Sequence, residues 1–191
     1  MIKVFKNFLS SKQADIIEKD LLGPKFNWYW NEATILPGEP FEPTKNTVNS
    51  GQFIHKIMMR NHYENKDSDV FESELYEGFK KVFDKVSYNN IERIKCNLNL
   101  NVTGYKKTSH QPIHRDTNDK GYKSLLYYIN DSDGDTIFFD KNVKQIKRVK
   151  PKKNTAVLFD SNLLHCGCNP IKSNKRAVIN FIFKRQSQLN G

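Results

Sequence analysis

The sequence lacks any apolar run that approaches the roughly 20 residues of a membrane-spanning helix. Its opening segment, MIKVFKNFLS, is interrupted by lysine and asparagine before the apolar core of a signal peptide could form. It has only three cysteines, Cys96, Cys166 and Cys168, which cannot all pair, and a bridge between the last two would be strained. These absences predict a protein with no membrane partner, located in the reducing cytoplasm.

Internal repeats, low-complexity tracts and glycine- and serine-rich linkers are also missing, so the sequence offers no domain boundary. A chain of 191 residues can bury most of its surface in one core without disulfides or metals. We predict a single domain over residues 1–191, with a helical N-terminal support over about 1–90 and a β core over about 91–185.

The charge of the chain is strongly positive. A formal net charge of +10 attracts acidic partners and nucleic acids over roughly a Debye length of about 10 Å. The densest basic stretch, residues 141–153 (KNVKQIKRVKPKK), also carries apolar residues between its lysines and is equally typical of a solvated hairpin. The charge therefore keeps nucleic acid open as an alternative partner without identifying a function.

The N-terminal part of the sequence carries helix signals. Ser10 or Ser11 can cap a helix that ends at Gly23. Apolar residues recur every three or four positions over 69–86, which predicts a second amphipathic helix. Residues 34–52 are rich in proline and glycine, and we interpret them as a long surface loop and a candidate mobile lid.

The second half of the sequence changes to strand patterns. Apolar and polar residues alternate from Ile94 to Val102 with the period of two of a strand. The further strand-like segments, separated by turn sequences, are KSLLYYIN (123–130), DTIFFD (135–140), NTAVLFD (154–160) and RAVINFIFK (176–184). The predicted fold class is α+β, with N-terminal helices packed on one sheet of an antiparallel sandwich or barrel.

The segment QPIHRDTND contains the pattern His114-x-Asp116. In an extended chain residues i and i+2 point the same way, so these two side chains would share a face while Arg115 points away. His165, just past a predicted strand, is available as a third ligand. Two imidazoles and one carboxylate on one face of an octahedral ion leave three positions open, as in non-haem Fe(II) oxygenases. We therefore predict a metal site.

The open positions suit a 2-oxo acid, which chelates through its keto oxygen and adjacent carboxylate and leaves one position for dioxygen. Its far carboxylate then needs a cation. Arg176, at the start of an apolar strand, has the planar guanidinium that binds a carboxylate through two hydrogen bonds. Tyr128 and Tyr105 lie on either side of the His-x-Asp segment in the sequence and are candidates to complete the clamp.

These residues resemble the 2-oxoglutarate and Fe(II)-dependent dioxygenases, in particular the prolyl-4-hydroxylase-like branch. The resemblance covers roughly residues 94–184 and rests on the segments PIHRD, LLYYINDSDGDTIFF, VKPKKNTAVLFDSNLLHCG and KRAVINFIF. It implies a double-stranded β-helix, or jelly roll, preceded by helices. It also implies that iron is bound by His114, Asp116 and His165.

The resemblance assigns the cosubstrate site as well. It implies that Arg176 forms a salt bridge with the C5 carboxylate of 2-oxoglutarate, that Tyr128 assists it, and that Tyr105 does so by a weaker match. One departure is Val178, which stands where many members of the family place serine. The clamp around this carboxylate is therefore expected to have fewer polar groups than in those members.

The implied activity is hydroxylation of a prolyl or other protein side chain, with succinate and CO2 released, and with ascorbate as a possible additional reductant. Two alternatives stay open. One is an oxidative nucleic-acid demethylase, which the net charge favours. The other is a non-catalytic β-sandwich binding module in which His-x-Asp is vestigial. We interpret His110, the rival ligand, as a solvated or substrate-facing histidine, because Pro112 separates it from His114.

Overall fold

The computed structural model describes residues 1–35, 38–60, 70–75, 77, 79 and 88–185. One α-helix, α1 (Ser11–Leu21), is delimited within them. The strands of the described residues are β1 (Lys3–Lys6), β2 (Tyr29–Asn31), β3 (Gln52–Arg60), β4 (Val70–Glu72), β5 (Tyr88–Leu100), β6 (Tyr122–Tyr128), β7 (Thr136–Phe139), β8 (Gln145–Val149), β9 (Thr155–Asp160), β10 (His165–Gly167) and β11 (Lys175–Arg185). In this part of the chain no helix is long and apolar enough to cross a membrane.

Helix α1 begins at a serine cap, as the sequence predicts. Ser10 Oγ accepts a hydrogen bond from the backbone N–H of Gln13 at 3.3 Å, and Gln13 Oε1 accepts one from the Ser10 N–H at 3.2 Å. Two backbone donors of the first turn are therefore satisfied reciprocally. The helix ends at Leu21, shortly before Gly23. Its buried face packs against the larger of two sheets.

Eight strands form this larger sheet. Its order is β1-β9-β6-β11-β5-β3-β2, and β4 pairs with β3 off this path. All the strand pairs are antiparallel, and the longest runs along β5 and β11, with Lys175 opposite Leu100 at one end. The central strands β5, β6, β9 and β11 correspond to the segments that the sequence predicts as strands, because their apolar residues are continuous or alternate.

A smaller sheet of three strands, with the order β10-β7-β8, faces the larger one. The two sheets share one apolar cluster, whose buried members are Leu126, Tyr128, Phe138, Val149, Val157, Phe159 and Val178. Because these residues come from strands of both sheets, the sheets form a sandwich with side chains interleaved between them. The basic stretch over 141–153 includes β8, which pairs with β7 in this second sheet.

The larger sheet has one face toward α1 and one toward the smaller sheet. On β11, Ile179 and Phe181 belong to the outer core together with Leu21 of α1. Arg176 and Asn180, at the alternate positions, line a cavity between the two sheets. The alternation of side chains along each strand thus separates a fully apolar core from a space that holds polar groups.

The N-terminal part differs from the mainly helical support that the sequence predicts. Besides α1 it contributes β1 to β4, and β3 pairs with β5 in the centre of the fold. A register shift between Lys56 and Met58 interrupts the period of two in β3 and obscures the strand pattern. The second helix predicted over 69–86 lies largely outside the described residues, and its expected first turn forms the short strand β4 instead.

The loop predicted over 34–52 lies against the His-x-Asp segment. The Glu42 N–H donates to the carbonyl of Ile113 at 2.7 Å, and the Val48 N–H donates to the carbonyl of His110 at 2.8 Å. These backbone hydrogen bonds hold the described part of the loop beside the cavity. Whether it moves as a lid stays a prediction.

Candidate metal centre

His114, Asp116 and His165 meet at one side of the cavity. Their ligand atoms all lie within 4.8 Å of one another. A two-way backbone pair brings the histidines together: the His114 N–H donates to the His165 carbonyl at 3.0 Å, and the His165 N–H donates to the His114 carbonyl at 2.9 Å. Arg115, between the first two residues, is exposed and donates through Nε to the Asn162 carbonyl. The three side chains therefore converge although fifty residues lie between the two histidines in the sequence.

Both imidazoles are oriented by backbone carbonyls. The Nδ1 atom of His114 lies 3.0 Å from the Pro112 carbonyl, and the Nδ1 atom of His165 lies 2.9 Å from the Leu163 carbonyl. A carbonyl can only accept, so in the neutral form of each ring Nδ1 carries the proton and Nε2 keeps a lone pair. The remaining nitrogen of each ring is thus available to a metal ion, an arrangement that protein metal sites commonly use to orient histidine.

The carboxylate of Asp116 is surrounded by donors. Its Oδ1 accepts from Arg93 Nη2 at 3.0 Å and from Asn180 Nδ2 at 2.9 Å, and its Oδ2 accepts from Ser124 Oγ at 2.5 Å. Burial alone would raise the pKa of Asp116, but His165, Arg93 and His114 outweigh burial and hold that pKa well below its usual range. The group is therefore an anion throughout the physiological pH range.

The charge state of His114 also suits a ligand. Burial, and secondarily the neighbouring His165, lower the pKa of the His114 imidazole to about 4. A neutral imidazole binds a metal without first losing a proton. Two nitrogens and one carboxylate oxygen form a donor set that first-row divalent ions accept, including Fe(II). The residues present therefore fit the ion that the sequence predicts.

Arg176 occupies the far end of the same cavity and is 4% exposed. Its Nε donates to the Gly134 carbonyl at 2.8 Å and its Nη2 donates to Thr136 Oγ1 at 2.9 Å. Within the described ranges no carboxylate forms a salt bridge with it. A buried guanidinium without a counter-ion is unfavourable unless an anion binds it, so this end of the cavity is built for a carboxylate.

Gly134 makes room for this arginine. A Cβ atom at Gly134 would lie 2.4 Å from the carbonyl oxygen of Cys168 and 3.0 Å from Arg176 Cδ. Real Cβ atoms do not approach backbone that closely, so the turn DSDGD, which the sequence marks only as a turn, requires glycine at this point. Its backbone can then pass close enough for the carbonyl to hold the guanidinium.

The two tyrosines assigned to the clamp differ in their placement. Tyr128 is fully buried, and its hydroxyl donates to Thr136 Oγ1 at 2.8 Å, so it supports Arg176 through Thr136 instead of lining the cavity. Tyr105 lies in a loop and lines a separate cavity of about 390 Å³ with Cys168. Its hydroxyl is buried without a hydrogen-bond partner among the described residues, and Arg176 is among the charges that act on it. The assignment of Tyr105 to the clamp stays a prediction.

The cavity that joins the triad to Arg176 has a volume of about 540 Å³. One wall is a row of side chains from β5, whose members are Arg93, Lys95, Asn97 and Asn99. The sequence does not mark this row as a cavity wall, because polar residues that alternate with apolar ones on a strand usually face water. Ser124 and Thr136 were missed for a related reason, since a lone hydroxyl in a strand carries no pattern.

His110 is not part of the metal centre. It is buried, with Nε2 at 2.9 Å from Thr44 Oγ1 and Nδ1 at 2.8 Å from the Gln111 carbonyl. The interpretation of this histidine as solvated or substrate-facing is therefore wrong. The loop over 38–51 covers it, and it ties that loop to the segment that carries the ligands.

Comparison with known proteins agrees with this geometry. Residues 100–184 match the family model of the 2OG-Fe(II) oxygenase superfamily. No curated protein matches the sequence significantly. The matched residues begin at the end of β5 and run through β11, so they include the triad and Arg176.

Three solved structures illustrate the likeness in fold. An oxidoreductase of the 2OG-Fe(II) oxygenase family from Burkholderia pseudomallei has a TM-score of 0.66 at 13% identity, covering 97% of this chain and 86% of its own. A prolyl-4-hydroxylase from Pseudomonas putida has a TM-score of 0.53 at 13% identity, covering 97% and 93%. A prolyl hydroxylase from Trichoplax adhaerens, in complex with a hypoxia inducible factor peptide, has a TM-score of 0.57 at 13% identity, covering 96% and 83%.

The predicted resemblance and the α+β jelly-roll fold are confirmed by these matches. For the 2OG-Fe(II) oxygenase superfamily, whose family model residues 100–184 match, iron and 2-oxoglutarate are the implied cofactor and cosubstrate.

Proposed function

We propose that this chain, which matches the 2OG-Fe(II) oxygenase superfamily over residues 100–184, hydroxylates a prolyl or other side chain of a peptide or protein. The observation that carries the proposal is one cavity with the His114, Asp116 and His165 triad at one side and the buried, uncompensated Arg176 at its far end. A ferrous ion with 2-oxoglutarate supplies the oxidising chemistry when bound, consuming dioxygen and releasing succinate and CO2.

Different residues of the site bind the metal ion and the cosubstrate. His114, Asp116 and His165 bind the metal ion, and the backbone pair between the histidines fixes their separation. Arg176 binds the C5 carboxylate of 2-oxoglutarate at the far end and so sets the direction of the cosubstrate in the cavity. Thr136 accepts two hydrogen bonds and keeps its own proton to donate to the same carboxylate.

A peptide is the substrate class that the cavity wall favours over a nucleobase. Enzymes that act on an extruded base stack it between aromatic or apolar side chains. Apart from the two ligand histidines, Phe41 is the one aromatic side chain among the described residues that line the cavity, and much of the wall is polar. The Trichoplax adhaerens structure supports a peptide by analogy, since that prolyl hydroxylase is in complex with a peptide fragment.

The nucleic-acid alternative is favoured by one feature outside the active site. Five cationic side chains line the separate cavity next to Tyr105: Lys106, Lys107, Arg148, Lys150 and Lys172. Oxidative demethylation of a nucleic acid is therefore the second candidate function. A vestigial binding module is disfavoured, because such a protein has no need of a buried arginine without a counter-ion. We further propose a cytoplasmic location, and ascorbate as a reductant that keeps the iron ferrous.

The proposal is tested by anaerobic addition of Fe(II) and 2-oxoglutarate to the purified protein. We expect a visible charge-transfer band that neither component gives alone. Succinate release in air is then measured with proline-containing peptide pools and with methylated oligonucleotides. Stimulation by peptides supports the first candidate, and stimulation by the oligonucleotides alone supports the second. A wild-type protein that binds iron but gives no band would contradict both.

Thr136 provides a finer test of the cosubstrate end. Replacing Thr136 with valine removes the hydroxyl while keeping the shape of the side chain. We expect the 2-oxoglutarate concentration for half-saturation to rise about tenfold or more, since a hydrogen bond to a charged group contributes about 1.5–3 kcal/mol. Tyr128→Phe is the matched control, because it removes only the outer bond to Thr136. An equal or larger effect of Tyr128→Phe would contradict a direct role for Thr136.

A further inference from the structure

One cation on the cavity wall has no assigned partner. The other members of this row on β5 each form a side-chain hydrogen bond. Arg93 donates to Asp116, and Asn99 accepts from Arg176. Asn97 donates through Nδ2 to Gln52 Oε1 at 3.0 Å.

Lys95 lies in the middle of this row and lines the same cavity. Its ammonium group forms no hydrogen bond or salt bridge with any residue in the described part of the chain.

Strand register places Lys95 at the level of the metal ligands. Lys95 pairs with Asn180 across β5 and β11, and the Asn180 amide donates to the Asp116 carboxylate. Asn99 pairs with Arg176 at the other end. Four residues of strand, about 13 Å, separate these two levels.

The proposed function assigns the C5 carboxylate of 2-oxoglutarate to Arg176 and its other carboxylate to the metal ion. Since Arg176 suits the cosubstrate carboxylate, the lysine is available to a different anion.

The environment of Lys95 favours binding of an anion. The residue is half-buried, and burial together with Arg93 lowers the pKa of its ammonium group to about 7, while Asp116 and Glu39 act in the opposite direction. Keeping a charge in such a place is costly unless a counter-charge arrives. An apolar side chain would fill the same space without this cost. We therefore expect the amine to bind an anion from outside the protein.

We propose that Lys95 binds a carboxylate of the substrate to be oxidised, so that the preferred peptide carries an acidic group near the hydroxylated residue. The inference rests on the proposed function and names the chemistry of its substrate. Lys95 acts as a specificity-determining residue, which holds the substrate on the triad side of the cavity while Arg176 holds the cosubstrate at the far end.

The charges around the cavity favour one carboxylate over a chain of phosphates. The cationic side chains of the described lining are Arg93, Lys95, Arg115 and Arg176. Of these, Arg93 is paired with Asp116, Arg115 is exposed and held by a backbone carbonyl, and Arg176 lies at the far end. Glu39 and Glu42 line the same cavity and would repel a polyanion. Lys95 is then the one cation of the described lining that can bind a substrate anion on the triad side, and a single carboxylate matches its single charge.

The test compares two dansyl-labelled peptide pools with a central proline, which differ only in carrying glutamate or the isosteric glutamine beside it. Binding is measured by anaerobic equilibrium dialysis against the full-length protein with Fe(II) and 2-oxoglutarate. We expect the wild type to bind the glutamate pool about tenfold more tightly, as one partly desolvated ion pair provides. Lys95→Met should abolish the preference, Lys95→Arg should retain much of it, and the charge-transfer band should persist in both.

Lys56→Met is the matched control. Lys56 is the cross-strand neighbour of Lys95 on β3, but it is exposed and does not line the cavity. Its removal should leave the preference unchanged. Equal binding of both pools by the wild type would overturn the proposal.

A weaker affinity of Lys95→Met for 2-oxoglutarate, with the pool preference intact, would also overturn it and assign the amine to the cosubstrate. If a methylated oligonucleotide binds instead, and only while Lys95 is present, the anion is a phosphate and the carboxylate is excluded. Failure of the proposed function is visible separately, as loss of the band in the wild type.

Discussion

Replacing Arg176 with methionine is expected to raise the 2-oxoglutarate concentration for half-saturation by about two to four orders of magnitude. This range corresponds to the about 3–5 kcal/mol lost when a buried charge pair is left without one partner. The guanidinium is buried, without a counter-ion in the described residues, and held by Gly134 and Thr136 so that it faces the cavity. Titration of the charge-transfer band at fixed Fe(II) measures the effect without requiring a known substrate.

Lys175→Met is the control for this substitution. Lys175 adjoins Arg176 on β11, and neighbouring strand residues point to opposite faces, so its removal should leave 2-oxoglutarate binding unchanged. Iron binding should survive in both variants, since neither residue touches the triad. A large effect of Lys175→Met with little effect of Arg176→Met would mean that the cosubstrate approaches the other face of β11.

Replacing His114 with alanine is expected to weaken Fe(II) binding by more than about a hundredfold, because even a residue that only orients a ligand contributes about tenfold to a hundredfold. The charge-transfer band should disappear at iron concentrations that saturate the wild type. Iron retained after anaerobic dialysis is the direct measurement. The fold should persist, because the backbone pair between residues 114 and 165 does not involve the imidazole.

His110→Ala is matched to this variant in residue type and in position on the same segment. His110 contacts Thr44 and the Gln111 carbonyl, and no metal ligand is among its hydrogen-bond partners. Its loss should reduce the thermal stability of the loop region while the band remains. If His110→Ala removed the band and His114→Ala did not, the ligand set would have to include His110 instead.

The strands and the triad were predictable because both depend on local geometry. Apolar alternation fixes which residues of β5 and β11 are buried, and the spacing of His114 and Asp116 fixes that they face one way. His165 followed from its place after a strand, although only the paired backbones of residues 114 and 165 bring it within reach. Arg176 was predictable because the far carboxylate of a 2-oxo acid needs a cation.

The surroundings of these residues were not predictable from pattern alone. A polar residue on a half-buried strand faces either water or a polar cavity, and the period of two is the same in both cases. Arg93 and Asn180 therefore carried no signal of their contact with Asp116. The surroundings of Tyr105 were not predictable either, because they depend on the path of a loop after β5, which propensities do not define.

The hydrogen bonds of Asp116 decide how many bonds it can offer to a metal. A carboxylate has about four lone-pair sites, two on each oxygen. Arg93 and Asn180 occupy both sites of Oδ1, and Ser124 occupies one site of Oδ2. With one site remaining, the residue would offer a single bond to a metal ion. Bidentate chelation would consume a further coordination position, so these three donors would leave that position of a bound ion free for reactants.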